Sequence, residues 1–183
     1  MYQLLILIIF NVFILDIFSM NNVINKQFLT QSGSTLSGKI VSLPDYFDSR
    51  ITLVAYGFSR RCQFDFDSWL NPFKKQYELN ENVFYFEIPM LGSKYKWGRY
   101  FIEKGMRSGI EPELHNNIMS YYEDTRLYKD FYGFSDKNVG YFLLLDSSSK
   151  IIWQAFGQAN EFKLTQLYSI VDSELKKSNL KNE

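Results

Sequence analysis

Cys62 is the only thiol in the chain, and it sits in Ser59-Arg60-Arg61-Cys62-Gln63-Phe64-Asp65. It follows a run that predicts a strand and opens a pattern that predicts a helix. Orphan N–H groups and the macrodipole at a helix start stabilise a thiolate, and Arg60 and Arg61 stand where cations would add to that effect. The placement fits nucleophilic thiol chemistry, with Cys62 attacking and Arg60 or Arg61 as charge partner. A dithiol cycle is excluded, because it needs two sulfurs and the residue three positions on is Asp65. The same count excludes a disulfide within the chain and a Cys-rich zinc site. The competing reading makes Cys62 a small, inert residue at a helix start.

Other chemistry has less to stand on. His115 is the only histidine, in the polar run Glu113-Leu114-His115-Asn116-Asn117. A Cys62–His115 pair would need the fold to bring the two together. No two carboxylates form an obvious acid/base couple, and there is neither a phosphate-binding glycine loop nor metal-ligand spacing. No cofactor is expected. With 20 basic and 20 acidic residues the formal charge is zero, which argues against a nucleic-acid partner.

The elements that must position Cys62 follow from hydrophobic pattern. ITLVAYGF (51–58) has no charge and is rich in β-branched and aromatic residues, as a strand buried on both faces requires. Phe66, Trp69, Leu70, Phe73 and Tyr77 then mark one stripe of a helix, which Pro72 should kink or restart. Residues 82–89 predict a second strand ending at Pro89, completing a right-handed βαβ unit. The stretch 94–119 is helical in composition, broken by Gly105, Gly109 and Pro112. Asp124 or Thr125 can cap a short helix that ends at Gly133. Residues 139–146 and 151–156 form a hairpin, and Phe162, Leu164, Leu167, Tyr168, Val171 and Leu175 mark a last amphipathic helix. The order βαβ, helices, ββα predicts an α/β fold of the thioredoxin-like kind, a mixed central sheet flanked by helices. The cis-proline usual before the third strand of that architecture is missing, the approach reading Asn138-Val139-Gly140-Tyr141. We divide the chain into a hydrophobic segment (1–20), a polar lead-in with short strands (21–45), the thioredoxin-like domain (46–177) and a polar tail (178–183).

Residues 4–18 are apolar except for Asn11 and Asp16. A 15-residue helix spans roughly 22 Å, short of the ~30 Å hydrocarbon core. The segment reads as a signal peptide ending near Ser19 or as an uncleaved membrane anchor, with a buried element as the third option. No Lys or Arg precedes Lys26, so it lacks the basic character of a mitochondrial transit peptide.

Residues 118–157 resemble the C-terminal signature of the mitochondrial ATP synthase assembly factors known as ATPase-complex subunit ten. The matching elements are Tyr121-Tyr122 with Asp124, the Gly140-Tyr141 strand ending in Leu145-Asp146, and Ile152-Trp153 leading through Gly157 to Ala159. Gly38-Lys39, Leu43-Pro44, Asp67-Ser68-Trp69 and Pro72-Phe73 fit the same pattern upstream, so the resemblance covers roughly residues 33–170. It implies a thioredoxin-like fold without redox chemistry, acting as an assembly chaperone at the mitochondrial inner membrane. There such factors help the membrane a subunit of the Fo sector join the c-ring. The apolar N-terminus departs from that pattern and leaves room for a bacterial relative exported across, or anchored to, a membrane. The alternative remains a single-cysteine thioredoxin-like thiol peroxidase or oxidoreductase using Cys62.

Residues 94–107 carry a balance of +4, and residues 111–136 a balance of −4. In the basic piece Lys94, Lys96 and Arg99 alternate with Tyr95, Trp97, Tyr100 and Phe101. A helix bearing rings and cations together can lie on an anionic membrane surface or grip a partner. The plainer reading has the rings covering the sheet and the charges facing water or pairing with the acidic stretch. The expected contact with a membrane-protein client or the membrane surface is Lys94, Lys96, Trp97, Arg99 and Tyr100. Tyr121, Tyr122 and Asp124 form a second candidate, whose plainer reading is an aromatic helix end with an acidic cap.

Overall fold

The computed structural model describes residues 23–181. The expected signal or anchor at 1–20 lies outside them. Among the described residues no helix is long and apolar enough to cross a membrane.

The strands are β1 (Gln31–Ser34), β2 (Ile40–Leu43), β3 (Ile51–Gly57), β4 (Val83–Pro89), β5 (Tyr141–Leu145) and β6 (Ile151–Phe156). The helices are α1 (Cys62–Tyr77), α2 (Arg99–Gly109), α3 (Arg126–Tyr132) and α4 (Glu161–Lys181), with 3-10 turns at Asp45–Phe47, Ser93–Gly98 and Pro112–Asn117. Every residue of β3 is buried, as its uninterrupted apolar run requires. β3 pairs in parallel with β4 and antiparallel with β5, and β6 pairs antiparallel with β5. The resulting order β4-β3-β5-β6 is the mixed sheet of a thioredoxin-like α/β fold.

The strands alternate their side chains between two cores. On one face Leu53, Ala55, Phe142 and Leu144 meet Phe66, Trp69, Leu70 and Phe73 of α1 and Leu167 and Val171 of α4. On the other, Val54, Tyr56, Phe86, Ile88 and Leu143 meet Tyr128 and Tyr132 of α3. Rings fill that second core: Phe134 stacks on Tyr141 at 4.4 Å and on Tyr132 at 5.1 Å, and lies 5.2 Å from Tyr56.

The structure departs from the sequence reading in four places. α1 continues through Pro72, so the helix does not restart there. A mid-helix proline costs about 3 kcal/mol, whereas fully burying Trp69, Leu70 and Phe73 is worth roughly 2–3 kcal/mol each. Residues 118 and 119, the end of the stretch of helical composition, are extended together with 120 and 121: Met119 N–H donates to Glu87 O at 3.0 Å and Tyr121 N–H to Pro89 O at 2.8 Å. This pairing uses the free carbonyls of β4 and covers what would be an open sheet edge. The lead-in forms the β1–β2 hairpin but also sends Val23, Phe28, Val41 and Leu43 into the core of the domain that was expected to begin at residue 46. α4 continues to Lys181, into the expected polar tail.

Candidate functional site

Cys62 is the first residue of α1, directly beyond the C-terminal end of β3, as the sequence placed it. Its side chain is 1% exposed. The thiol donates to Lys137 O at 3.5 Å and lies 3.9 Å from Ser59 Oγ. The space around it is filled: a Cβ built on Gly57 would come within 3.0 Å of Cys62 Cβ and 2.9 Å of Phe66 Cζ. Arg60 and Arg61 are exposed, and among the described residues neither forms an ion pair or bonds to the sulfur. His115 is bound elsewhere, its Nε2 3.0 Å from Ile110 O.

One turn further along α1, Asp65 stands where a second thiol would resolve a disulfide. It is 7% exposed, and its Oδ2 accepts the Gly140 N–H at 2.7 Å. Gly140 ends the approach to β5, and a Cβ there would come within 2.9 Å of Asp65 Cβ and 3.3 Å of Phe66 and Phe142. A carboxylate–amide bond thus ties the start of α1 to the start of β5. Sequence reading noted Asp65 only as a missing sulfur and Gly140 only as a missing proline. The shared signal, a carboxylate facing a glycine N–H, spans 75 positions.

Above these residues lies a groove of about 890 Å³. One wall is the β3–α1 turn from Phe58 to Arg61, and the other is Met90–Tyr95 with Ile102 of α2. Glu123–Thr125, Lys129, Lys137 and Asn138 close it. Lys129 Nζ sits 4.7 Å over the Phe58 ring and Lys94 Nζ 4.9 Å over the Tyr95 ring.

Beside the groove, the segment 95–101 turns its rings outward. Trp97 is 88% exposed, Phe101 74%, Tyr100 64% and Tyr95 43%. The segment is short of residues that reach a core, since of α2 only Glu103 is buried. The rings therefore do not cover the sheet. The cations divide between two tasks. Lys96 pairs with Glu123 of the acidic stretch at 2.6 Å. Arg99 donates to Glu103 Oε1 at 2.8 Å and to Ser34 Oγ at 2.6 Å, while Arg107 donates to Leu36 O at 3.1 Å and to Glu103 Oε2 at 3.5 Å. Glu103 and two arginines thus clamp α2 onto the hairpin. Lys94 stays at the groove rim.

The second predicted cluster is mostly internal. Tyr122 is 4% exposed beneath the Arg99 guanidinium, 5.3 Å from its ring, and burial pushes its phenol up to about 12. Tyr121 packs edge-on against Tyr128 at 5.2 Å. Neither lies in a helix, so the expected aromatic helix end is instead the strip that covers β4. Asp124 is exposed and accepts from Arg126 N–H at 2.9 Å and from the Arg126 guanidinium, which holds its carboxyl at about 2. Of the predicted contact residues, Lys94, Trp97 and Tyr100 present themselves to solvent, whereas Arg99 and Tyr122 hold the surface in place.

The model of a family described as "ATP10 protein" matches residues 24–173. No curated protein matches the chain. Among solved structures, the thioredoxin domain of a thiol-disulfide oxidoreductase from Bacteroides vulgatus superposes with a TM-score of 0.55 at 16% identity, covering 81% of this chain and 97% of that one. A thiol-disulfide oxidoreductase from Bacteroides fragilis gives 0.53 at 17%, covering 79% and 99%. At such identities these likenesses show the fold alone.

Proposed function

The chain belongs to the ATP10 protein family, and from that premise we propose that it is a non-catalytic assembly factor of the F-type ATP synthase, built on a thioredoxin-like frame. The observation that carries the non-catalytic part is Asp65. Where the fold would hold a resolving thiol, a buried carboxylate is spent on the Gly140 backbone. The burial of Cys62 and the bond from its thiol to Lys137 O support the same reading, because a nucleophile must be reached by its substrate.

In this reading Trp97, Tyr100 and Phe101 do the holding. Exposed rings beside cations can cover an apolar face of a membrane-protein client until its final partner displaces them, each ring contributing about 1–3 kcal/mol when desolvated. The client is the membrane a subunit of the Fo sector on its way to the c-ring. The work is done at a membrane surface, the mitochondrial inner membrane or, with an exported or anchored domain, a bacterial one.

The test is affinity capture from detergent-solubilised membranes with the full chain, compared with Trp97→Ala/Phe101→Ala and with Cys62→Ser. ATP synthase subunits should be captured by the parent and by Cys62→Ser, and lost at least about tenfold with the ring variant. Capture of no ATP synthase subunit by the parent overturns the assembly role. Loss of capture with Cys62→Ser restores the case for a thiol-dependent oxidoreductase.

A further inference from the structure

The groove beyond the ends of β3 and β4 has an unbalanced lining. It holds five cations (Arg60, Arg61, Lys94, Lys129 and Lys137) and two acids, Glu123 and Asp124. Both acids are already neutralised by cations other than these five: Glu123 by Lys96 at 2.6 Å, and Asp124 by Arg126. Among the described residues none of the five groove cations is in an ion pair. Lys94 and Lys129 are instead held over aromatic walls, Tyr95 and Phe58. The result is a trough whose walls carry positive charge together with apolar surface, from Phe58 on one side and Met90 and Ile102 on the other.

We infer that this groove binds an acidic, extended polypeptide segment of a partner, its carboxylates meeting the five cations and its apolar side chains the apolar parts of the walls. Two observations favour a peptide over a lipid headgroup or a small anion. The volume, about 890 Å³, is many times that of one phosphate and suits several residues of chain. The cations come from four separate stretches of the lining, and two of them are held over different rings, Lys94 over Tyr95 and Lys129 over Phe58.

The inference rests on the proposed assembly role only for where the segment comes from. The binding itself is tested with the full chain and synthetic peptides, by fluorescence anisotropy across a salt series. The probes are a Glu/Asp-rich peptide with interspersed Leu and a Lys-rich counterpart. The acidic peptide should bind and the Lys-rich one should not. Arg60→Glu/Arg61→Glu, or Lys94→Glu/Lys129→Glu, should weaken binding at least about tenfold and flatten its salt dependence. Lys75→Glu/Lys176→Glu, away from the groove, should change nothing. Equal loss with this distant pair overturns the groove assignment, as does undiminished binding in both groove variants. Competition by inorganic phosphate at concentrations that match peptide carboxylate reduces the site to a simple anion site and overturns the peptide. Cosedimentation with phosphatidylserine vesicles that depends on the same five cations, without peptide binding, assigns the groove to lipid instead. If peptide binding fails while capture of ATP synthase subunits persists, this inference falls and the assembly role stands.

Discussion

Asp65 sits 7% exposed on α1 and takes one backbone N–H, which ties the start of that helix to the start of β5. Asp65→Asn should keep the bond through its carbonyl and cost little, whereas Asp65→Ala leaves the Gly140 N–H buried and unpartnered. We expect the alanine variant to lose about 1–3 kcal/mol in urea unfolding, with the asparagine variant within about 1 kcal/mol of the parent. Glu87 on β4 is a half-buried carboxyl, pushed up from 4.5 to about 7 by desolvation, with Lys74 pulling the other way and Asp67 adding to the rise. Its folded value exceeds its unfolded one, so the folded state binds the extra proton. Stability from this group is full below about pH 4.5, falls as pH rises from there to about 7, and stays low above. Glu87→Gln should therefore stabilise the protein at pH 8 by roughly 1–3 kcal/mol and by much less at pH 4.5, read by denaturant titration at the two pH values. Sequence made the place of Cys62 legible, because a strand, a turn and a helix start are local patterns. The Asp65–Gly140 bond and the desolvation of Glu87 were not legible, since each depends on what a distant segment lays against it.

At the scale of elements, α2 shows how an amphipathic segment can be read correctly in composition and still mislead about its face. Its rings point outward, because its one buried side chain is Glu103, held between Arg99 and Arg107. The pattern of a buried acid with cations four residues either side looks like any solvated helix face in sequence. Only the hairpin contacts, Arg99 to Ser34 and Arg107 to Leu36, turn it inward. Glu103→Ala should loosen α2 alone. Amide exchange in residues 99–109 should speed up by about tenfold or more while β3 and β5 keep their protection, and equal protection throughout would show the clamp to be dispensable. Residues 118 and 119 teach the complementary lesson. Their helical composition yields to the unpaired carbonyls of β4, a demand that belongs to the sheet and is invisible in the segment itself.

Across the whole molecule, the described aromatic residues include two populations with different consequences, buried rings and exposed ones. Trp69 is fully buried, donates to Gly157 O at 2.7 Å and packs 5.2 Å from Trp153. Trp97 and Phe101 stand in water. Truncating Trp69 to alanine should cost about 3–5 kcal/mol, while Trp97→Ala/Phe101→Ala should leave stability within about 0.5 kcal/mol, both by thermal and denaturant unfolding. A large loss in the second case would mean that these rings serve the fold. The mixed sheet flanked by helices and the family were readable in the residue pattern, since each rests on many residues agreeing. The groove was not, because its five cations come from turns far apart in sequence.

The enclosure of the lone sulfur also equips the protein with a stopwatch. Cys62 lies beneath the joint between α1 and the loop carrying Lys137, so a thiol reagent reaches it only when that joint parts. With one cysteine in the chain, every modification event reports the same opening, without mutation or added label. Labelling speed against reagent concentration would then separate how often the joint opens from how long it stays open, and occupation of the groove above it should slow the clock.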